Sequence, residues 1–344
     1  MMRKYNVAIL GATGAVGQEF LALIAERQFP FNELKLLASK RSAGKVIEFM
    51  GKQYTVEEAT DDSFKNVQIA LFAGGAASKT FAPAAVKHGA VVIDNSSAFR
   101  MDPRVPLVVP EVNPEAIKEH NGIIANPNCS TIIMTMALKP LYDLARIKRV
   151  VVSTYQAVSG AGKEAIDELD DQVKALVDHR PVEAKILPGA SLPKHYQIAF
   201  NLLPQIDVFV EDGYTKEEMK MVHETHKILN DDNIGITATT IRVPVYRSHA
   251  ESINIELENS VSVEEARRAL AAFPGVIVQD DPENMLYPMP LFTSSKDEVF
   301  VGRIRPDHTV ANGINLWVVG DQIRKGAALN ALQIAEYMIN HKLL

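Results

Sequence analysis

Val7-Ala8-Ile9-Leu10-Gly11-Ala12-Thr13-Gly14-Ala15-Val16-Gly17 is the stretch whose reading decides the fold of this chain. Four apolar residues in a row suit a parallel strand buried on both faces. Three glycines follow, and Phe20, Leu21, Leu23 and Ile24 then recur at helical spacing. In a strand–turn–helix context, glycines let backbone N–H groups approach a pyrophosphate over a helix N-terminus. The spacing G-x-x-G-x-x-G is a variant of the usual dinucleotide fingerprint. A plain strand–helix turn is the competing reading.

The next strand is predicted over 34–38 and runs into Ser39-Lys40-Arg41-Ser42. An NAD site usually places Asp or Glu there to hold the ribose. Two cations and two hydroxyls suit a 2′-phosphate instead and favour NADP, against the plainer use as a solvated basic turn. Residues 68–73 predict another buried strand, 76–87 a helix and 90–94 a further strand. This alternation predicts a doubly wound parallel sheet, with ligands at the C-terminal ends of its strands. Arg100 falls on such a loop, where a guanidinium holds an anionic oxygen bidentately or makes an ordinary surface ion pair.

Asn126-Pro127-Asn128-Cys129-Ser130-Thr131 contains the only cysteine of the 344 residues. A short apolar strand precedes it, and Ile132, Ile133, Met134, Ala137 and Leu138 follow at helical spacing. Asn128 or Cys129 then stands near a helix N-cap. Backbone N–H groups and the helix dipole favour a thiolate there. The local sequence admits a nucleophile or a small buried hydrophobe.

Beyond it, 148–155 predicts a strand leading into Gln156-Ala157-Val158-Ser159-Gly160-Ala161-Gly162, a second small-residue turn open to close backbone approach. A helix over 163–176 is followed by an excursion over 181–204 holding four prolines. Thr215 with Glu218 forms a capping box that starts a helix, on which Glu217 and Lys220 share a face. Residues 236–245 predict a strand, weakened by Pro244. Arg242 and His249 bracket the next turn, and 252–258 alternates as a half-buried antiparallel strand does. A helix over 261–272 is capped at Ser262, strands cover 276–278, 299–304 and 314–319, and a closing helix is predicted over 322–344. The fold class is therefore α/β: a Rossmann-type NADP-binding domain, 1–128 plus 323–344, and an α+β catalytic and dimerisation domain, 129–322, with a mostly antiparallel sheet.

Composition narrows the function. A chain of 344 residues exceeds one ordinary core. Hydrophobic content of 47% and charged content of 23% are ordinary for a globular protein. A net charge of −6 gives no reason to expect nucleic acid. A single cysteine leaves no internal disulfide framework and suits the cytoplasm. No apolar run approaches the ~18 residues of a membrane span, and the glycines after residue 10 interrupt any signal-peptide core. No metal site is expected.

Taken together, Gly11 to Gly17, Asn126 to Thr131, Gln156 to Gly162 and Arg242 to His249 resemble the aspartate-semialdehyde dehydrogenases over essentially the whole chain, in a form similar to the shorter, Gram-positive-type bacterial branch. The resemblance implies NADP-dependent, phosphate-dependent interconversion of L-aspartate 4-semialdehyde and L-4-aspartyl phosphate. This is the branch point to lysine, diaminopimelate, methionine, threonine and isoleucine. Cys129 becomes the nucleophile, with Asn128 beside it, and His249 the general acid/base, its ordinary pKa of about 6.5 lying near working pH. Arg242 takes the substrate carboxylate, Glu217 its ammonium, and Gln156 orients it. Arg100 and Lys220 take phosphate. Gly11, Thr13, Gly14, Ala15, Val16, Ser39, Arg41, Ser42, Ser159, Gly160 and Gln322 line the NADP site. A homodimer or a dimer of dimers is expected. The alternatives are an N-acetyl-gamma-glutamyl-phosphate reductase, which usually has Gly at the place of Asn128, and a non-catalytic NADP-binding sensor.

Overall fold

A computed structural model describes residues 3–344. The chain divides into two compact units, 1–128 with 326–344, and 129–325.

The first unit is built on β1 (Tyr5–Leu10), α1 (Ala15–Glu26), β2 (Phe31–Ala38), a β3–β4 hairpin (Val46–Phe49, Lys52–Thr55), β5 (Glu57–Glu58), β6 (Ile69–Phe72), α2 (Ala77–Lys87), β7 (Val91–Asp94) and β8 (Ile123–Ala125). Six strands form one sheet in the order β5-β2-β1-β6-β7-β8. Every pairing in it is parallel. Alternate residues of β1 explain why. Val7 and Ile9 pack with Phe20, Leu23 and Ile24 of α1 and with Leu332 and Ala335 of the closing helix, Leu329–Asn340. Ala8 and Leu10 pack on the other side with Phe64, Phe72, Ala82 and Ala85. Both faces are covered, so the strand reads as a continuous apolar run.

The second unit contains α3 (Cys129–Ala145), β9 (Ile147–Ala157), α4 (Lys163–Val177), α5 (Lys216–Leu229), β10 (Gly235–Val243), β11 (His249–Leu257), α6 (Val263–Ala272), β12 (Val276–Val278), α7 (Pro290–Thr293), β13 (Val299–Asp307) and β14 (Gly313–Gly320). Its sheet runs β10-β9-β11-β14-β13-β12. Pairings β9–β11, β11–β14 and β13–β14 are antiparallel. The β9–β10 and β12–β13 pairings are parallel, so the sheet is mixed, with antiparallel pairs in the majority. α3 packs on β9, β11, β13 and β14. The other face carries half-buried Ser153, Tyr155, Asn254, Asn315 and Trp317.

Two expectations change. The closing helix is not continuous from 322: a π-helical turn, Arg324–Ala328, precedes Leu329–Asn340. The second unit also extends to Lys325 rather than ending at 322, because Asp321 still caps residues 323 and 324 and Arg324 pairs with Asp297.

Candidate active site

Strand register in the second unit stacks side chains into rows on the helix-covered face. Ala238, Val152, Ile253 and Leu316 form an apolar row. One step along, Thr240, Thr154, Glu251 and Val318 stand side by side. The next row is Arg242 beside Gln156, then His249, then Gly320. The sheet thus changes from core to polar site within two residues per strand, as a period of two requires.

Cys129 is the first residue of α3, and its neighbour Ser130 accepts a hydrogen bond from Gln156 Nε2 at 2.5 Å. The same amide nitrogen donates to Glu217 Oε1 at 3.2 Å. Lys220 donates to Glu217 Oε2 and to Asp207 Oδ2, each at 3.0 Å. Burial pulls the Lys220 pKa down, but the two carboxylates outweigh it and the net shift is upward. The N-terminus of α5 that carries both residues is held by the Thr215–Glu218 capping box. Glu218 also accepts the Thr240 N–H of β10 at 2.9 Å.

Arg242 donates from Nη1 to the Ala157 carbonyl at 2.7 Å. Burial lowers its pKa, and the charge of Glu217 and that of Cys129, when ionised, oppose that shift. His249 is 0% exposed, and its Nδ1 accepts the Ala157 N–H at 3.1 Å. A neutral imidazole that accepts at Nδ1 carries its proton on Nε2. Burial first, then the charge of Arg242, lowers its pKa to about 3, with Glu217 acting weakly the other way. The ordinary imidazole pKa assumed from sequence therefore does not hold here. His249 presents an N–H to the site rather than a lone pair.

Gly160 lies against this row: a Cβ there would stand 2.9 Å from Arg242 Nη1 and 3.3 Å from His249 Nε2. Ser159 Oγ accepts from Gln322 Nε2 at 2.5 Å, and Gln322 Oε1 accepts the Ser248 N–H at 2.8 Å. Gln322 thereby ties the 158–161 turn to the start of β11. Ser130, Asp207 and Glu251 belong to this group and were missed in the sequence. Only Glu251 left a signal, two residues after His249 on the same strand face.

The first unit holds the other sequence-derived residues. Gly11 has φ +85°, and a Cβ on Gly17 would lie 2.3 Å from the Gly11 carbonyl oxygen. The N–H groups of Gly11 and Ala12 both bond the Leu37 carbonyl, which ties this turn to the end of β2 and so to the turn at Ser39, Arg41 and Ser42. Gly14 is the N-cap of α1, without a side-chain capping bond and with no acid in the first turn; Thr13, Ala15 and Val16 flank it. A bare, acid-free helix start over glycine backbone fits a dinucleotide pyrophosphate. Arg100 donates from Nε to the Asn126 carbonyl at 2.9 Å and from Nη2 to the Asn95 carbonyl at 2.8 Å. Asn330 Nδ2 bonds Asn126 Oδ1 at 2.7 Å, fixing the segment that leads to Asn128.

The semialdehyde dehydrogenase NAD-binding domain model matches residues 6–120, and the semialdehyde dehydrogenase dimerisation domain model matches 138–325. An aspartate-semialdehyde dehydrogenase of Aquifex aeolicus is 59% identical over 344 residues, covering 99% of each chain. The chain belongs to the aspartate-semialdehyde dehydrogenase family. A Bacillus subtilis member is 53% identical over 98% of each chain. The solved Vibrio cholerae aspartate semialdehyde dehydrogenase II, complexed with ASA, superposes with a TM-score of 0.93 at 49% identity, covering 98% of this chain and 99% of that one. The Gram-positive-type branch is not borne out, since the Aquifex member is more similar than the Bacillus one. Full-length identity to this family favours it over the glutamyl-phosphate reductases and over a non-catalytic sensor. The dimerisation-domain match points to an oligomer. No helix among the described residues is long and apolar enough to cross a membrane.

Proposed function

We propose that the chain catalyses the reversible reductive dephosphorylation of L-4-aspartyl phosphate to L-aspartate 4-semialdehyde, with NADP as cofactor and Cys129 as acyl carrier. One observation carries this: Cys129 opens α3 in electrostatic reach of Arg242, beside a Ser130–Gln156–Glu217 chain. The helix start and the Arg242 charge both favour the thiolate. The thiolate attacks the acyl carbon, the carbon–oxygen bond to phosphate breaks, and phosphate leaves with the electron pair. Covalent capture splits one hard displacement into two easier ones. The chemistry supplied by a bound nicotinamide is a hydride to the thioester carbon.

The chain's own residues manage charge. His249 Nε2–H and the first N–H groups of α3 are the donors suited to an oxyanion at the acyl carbon. Cys129 is regained as the thiolate when the carbon–sulfur bond breaks. Arg242 is suited to the substrate α-carboxylate and Glu217 to its ammonium. Lys220 and Arg100 are suited to phosphate, with Gln156 orienting the acyl group and Asn128 holding the cysteine turn. NADP is favoured over NAD by Ser39, Arg41 and Ser42, with Lys40 and no acid in that turn. Cytoplasmic homodimers in the synthesis of lysine and diaminopimelate, methionine, threonine and isoleucine complete the reading.

The test is a reduced-nicotinamide absorbance assay with aspartate semialdehyde, phosphate and NADP⁺. Phosphate-dependent turnover is expected. Turnover only with N-acetylglutamate semialdehyde, or none without a change of acceptor, would reject the assignment.

A further inference from the structure

Glu251 has no part in the chemistry above, yet it sits in the layer directly beneath it. On β11 it follows His249 by two residues and so shares its face. Register sets it opposite Thr154 of β9 and opposite Val318 of β14. Both Glu251 and Thr154 are 0% exposed. Neither carboxyl oxygen of Glu251, nor Thr154 Oγ1, nor Gln156 Oε1 has a hydrogen-bond partner among the described residues. Four orphaned oxygens thus gather at one corner of two adjacent rows. Gln156 stands diagonally from Glu251, a separation that long side chains bridge across paired strands.

The inventory of these oxygens is lopsided. Gln156 Oε1 only accepts, and an ionised carboxylate would only accept as well. Thr154 Oγ1–H is the one donor among the four, and the unpaired Arg242 Nε–H and His249 Nε2–H of the next row are those assigned to substrate above, so an ionised Glu251 leaves three acceptors to share one donor at a desolvation cost. The ionisable groups brought to this side of the sheet are His249 on the same strand, Arg242 on β10, Cys129 on α3, and Glu217, Glu218, Lys220 and the buried Glu224 on α5. β9 and β14 contribute Thr154, Gln156, Val318 and Gly320, none of them ionisable. Burial, and secondarily the negative charge of Glu217, push the Glu251 pKa well above the usual carboxylate range. A protonated carboxyl supplies a second donor beside Thr154.

We propose that Glu251 is a positioning residue, an un-ionised carboxylic acid whose O–H is carried by bridging water to Gln156 Oε1. Buried water of this kind bonds two or more otherwise unpaired polar groups. With Glu217 accepting from Nε2 on one side and Glu251 donating towards Oε1 on the other, the Gln156 amide has one orientation. A flipped amide would set its oxygen against the Glu217 carboxylate. The site gains a fixed amide without a further negative charge beside Glu217, Asp207 and the thiolate, in a pocket proposed to hold acyl phosphate. The role rests on the proposed function of Gln156 in orienting substrate.

The experiment compares the full-length wild type with Glu251→Gln and Glu251→Leu. Infrared spectra at pH 7 should show the carbonyl stretch of an un-ionised carboxylic acid in the wild type, shifted in D2O and missing from Glu251→Gln. Because the folded carboxyl has a raised pKa, the wild type loses stability as pH rises from about 4.5. Glu251→Gln should therefore melt higher than the wild type at pH 8, with the gain vanishing below about pH 4. The conservative Gln keeps a donor and should hold kcat within about threefold, while Leu should lower kcat/KM for the semialdehyde by about tenfold or more and leave the KM for NADP⁺ unchanged. The lack of an un-ionised carboxyl band at pH 7 that Glu251→Gln removes, a Gln variant as impaired as Leu, or a Leu variant with wild-type constants overturns the proposal. If Leu does not fold, the infrared and Gln measurements still decide it. A wild type with no phosphate-dependent turnover would instead defeat the functional reading, and the infrared result would stand apart from it.

Discussion

Gly160 offers a perturbation whose size can be worked from geometry. Adding one methyl group, Gly160→Ala, puts a carbon 2.9 Å from Arg242 Nη1, 3.2 Å from His249 Cε1 and 3.3 Å from His249 Nε2. Ordinary contact begins near 3.4 Å, so the guanidinium must retreat by about 0.5 Å and the imidazole by about 0.2 Å. Neither has slack. Arg242 is held by the Ala157 carbonyl at 2.7 Å and His249 by the Ala157 N–H at 3.1 Å. Both are buried. A misplacement of about 1 Å costs roughly 100-fold in rate, so half of that predicts a loss of about tenfold in kcat/KM for the semialdehyde. Steady-state assays with semialdehyde and NADP⁺ varied separately measure it. The KM for NADP⁺ should stay within about twofold, because the methyl group meets substrate-side groups. A variant whose only defect is a raised KM for NADP⁺ would refute this reasoning and return Gly160 to the cofactor-lining role read from sequence.

Other expectations follow from the same geometry. His249, with a pKa of about 3, stays neutral across pH 5–8; its ring NMR signals should show no titration in that range, and a midpoint near 6.5 would contradict the Nδ1–Ala157 contact. Its folded pKa lies below the unfolded value, so the unfolded chain binds the extra proton. Stability should fall by about 1.4 kcal/mol per pH unit from this group as pH drops from about 6.5 towards 3, and His249→Gln should remove that slope in a denaturation series. Arg41→Ala should raise the KM for NADP⁺ by about tenfold or more while leaving that for NAD⁺ unchanged, since one charge-assisted contact to a 2′-phosphate is at stake; equal effects on both cofactors would reject the 2′-phosphate reading. Glu217→Gln removes the charge that joins Gln156 to Lys220; the semialdehyde KM should rise by about tenfold, and an unchanged KM would remove Glu217 from substrate binding.

Local signals in the sequence carried furthest. The run Val7 to Leu10 into glycines is β1, the turn and α1. Thr215 with Glu218 and Ser262 with Glu265 form the capping boxes their spacing implies. Pro244 ends β10 at Val243, because a proline cannot donate to the ladder. Long-range facts were not legible. Nothing within β9 and β10 specifies that they pair in parallel, and that pairing is what puts Arg242 beside Gln156. The basicity of His249 depends on the distant Ala157 N–H and on the charge of Arg242, so its residue type alone misleads. The β3–β4 hairpin went unread although Met50-Gly51, both at positive φ, marks its turn. The closing helix read as continuous because apolar spacing does not register a π-turn.

The central claim is that Cys129 carries the acyl group. The most direct measurement is peptide mass spectrometry on enzyme quenched rapidly after mixing with L-4-aspartyl phosphate in the absence of reduced cofactor. The account predicts release of phosphate together with a mass increase of one aspartyl group on the peptide holding Cys129, and neither in Cys129→Ala. Phosphate release with an unmodified Cys129 peptide, or the same release from Cys129→Ala, would contradict it.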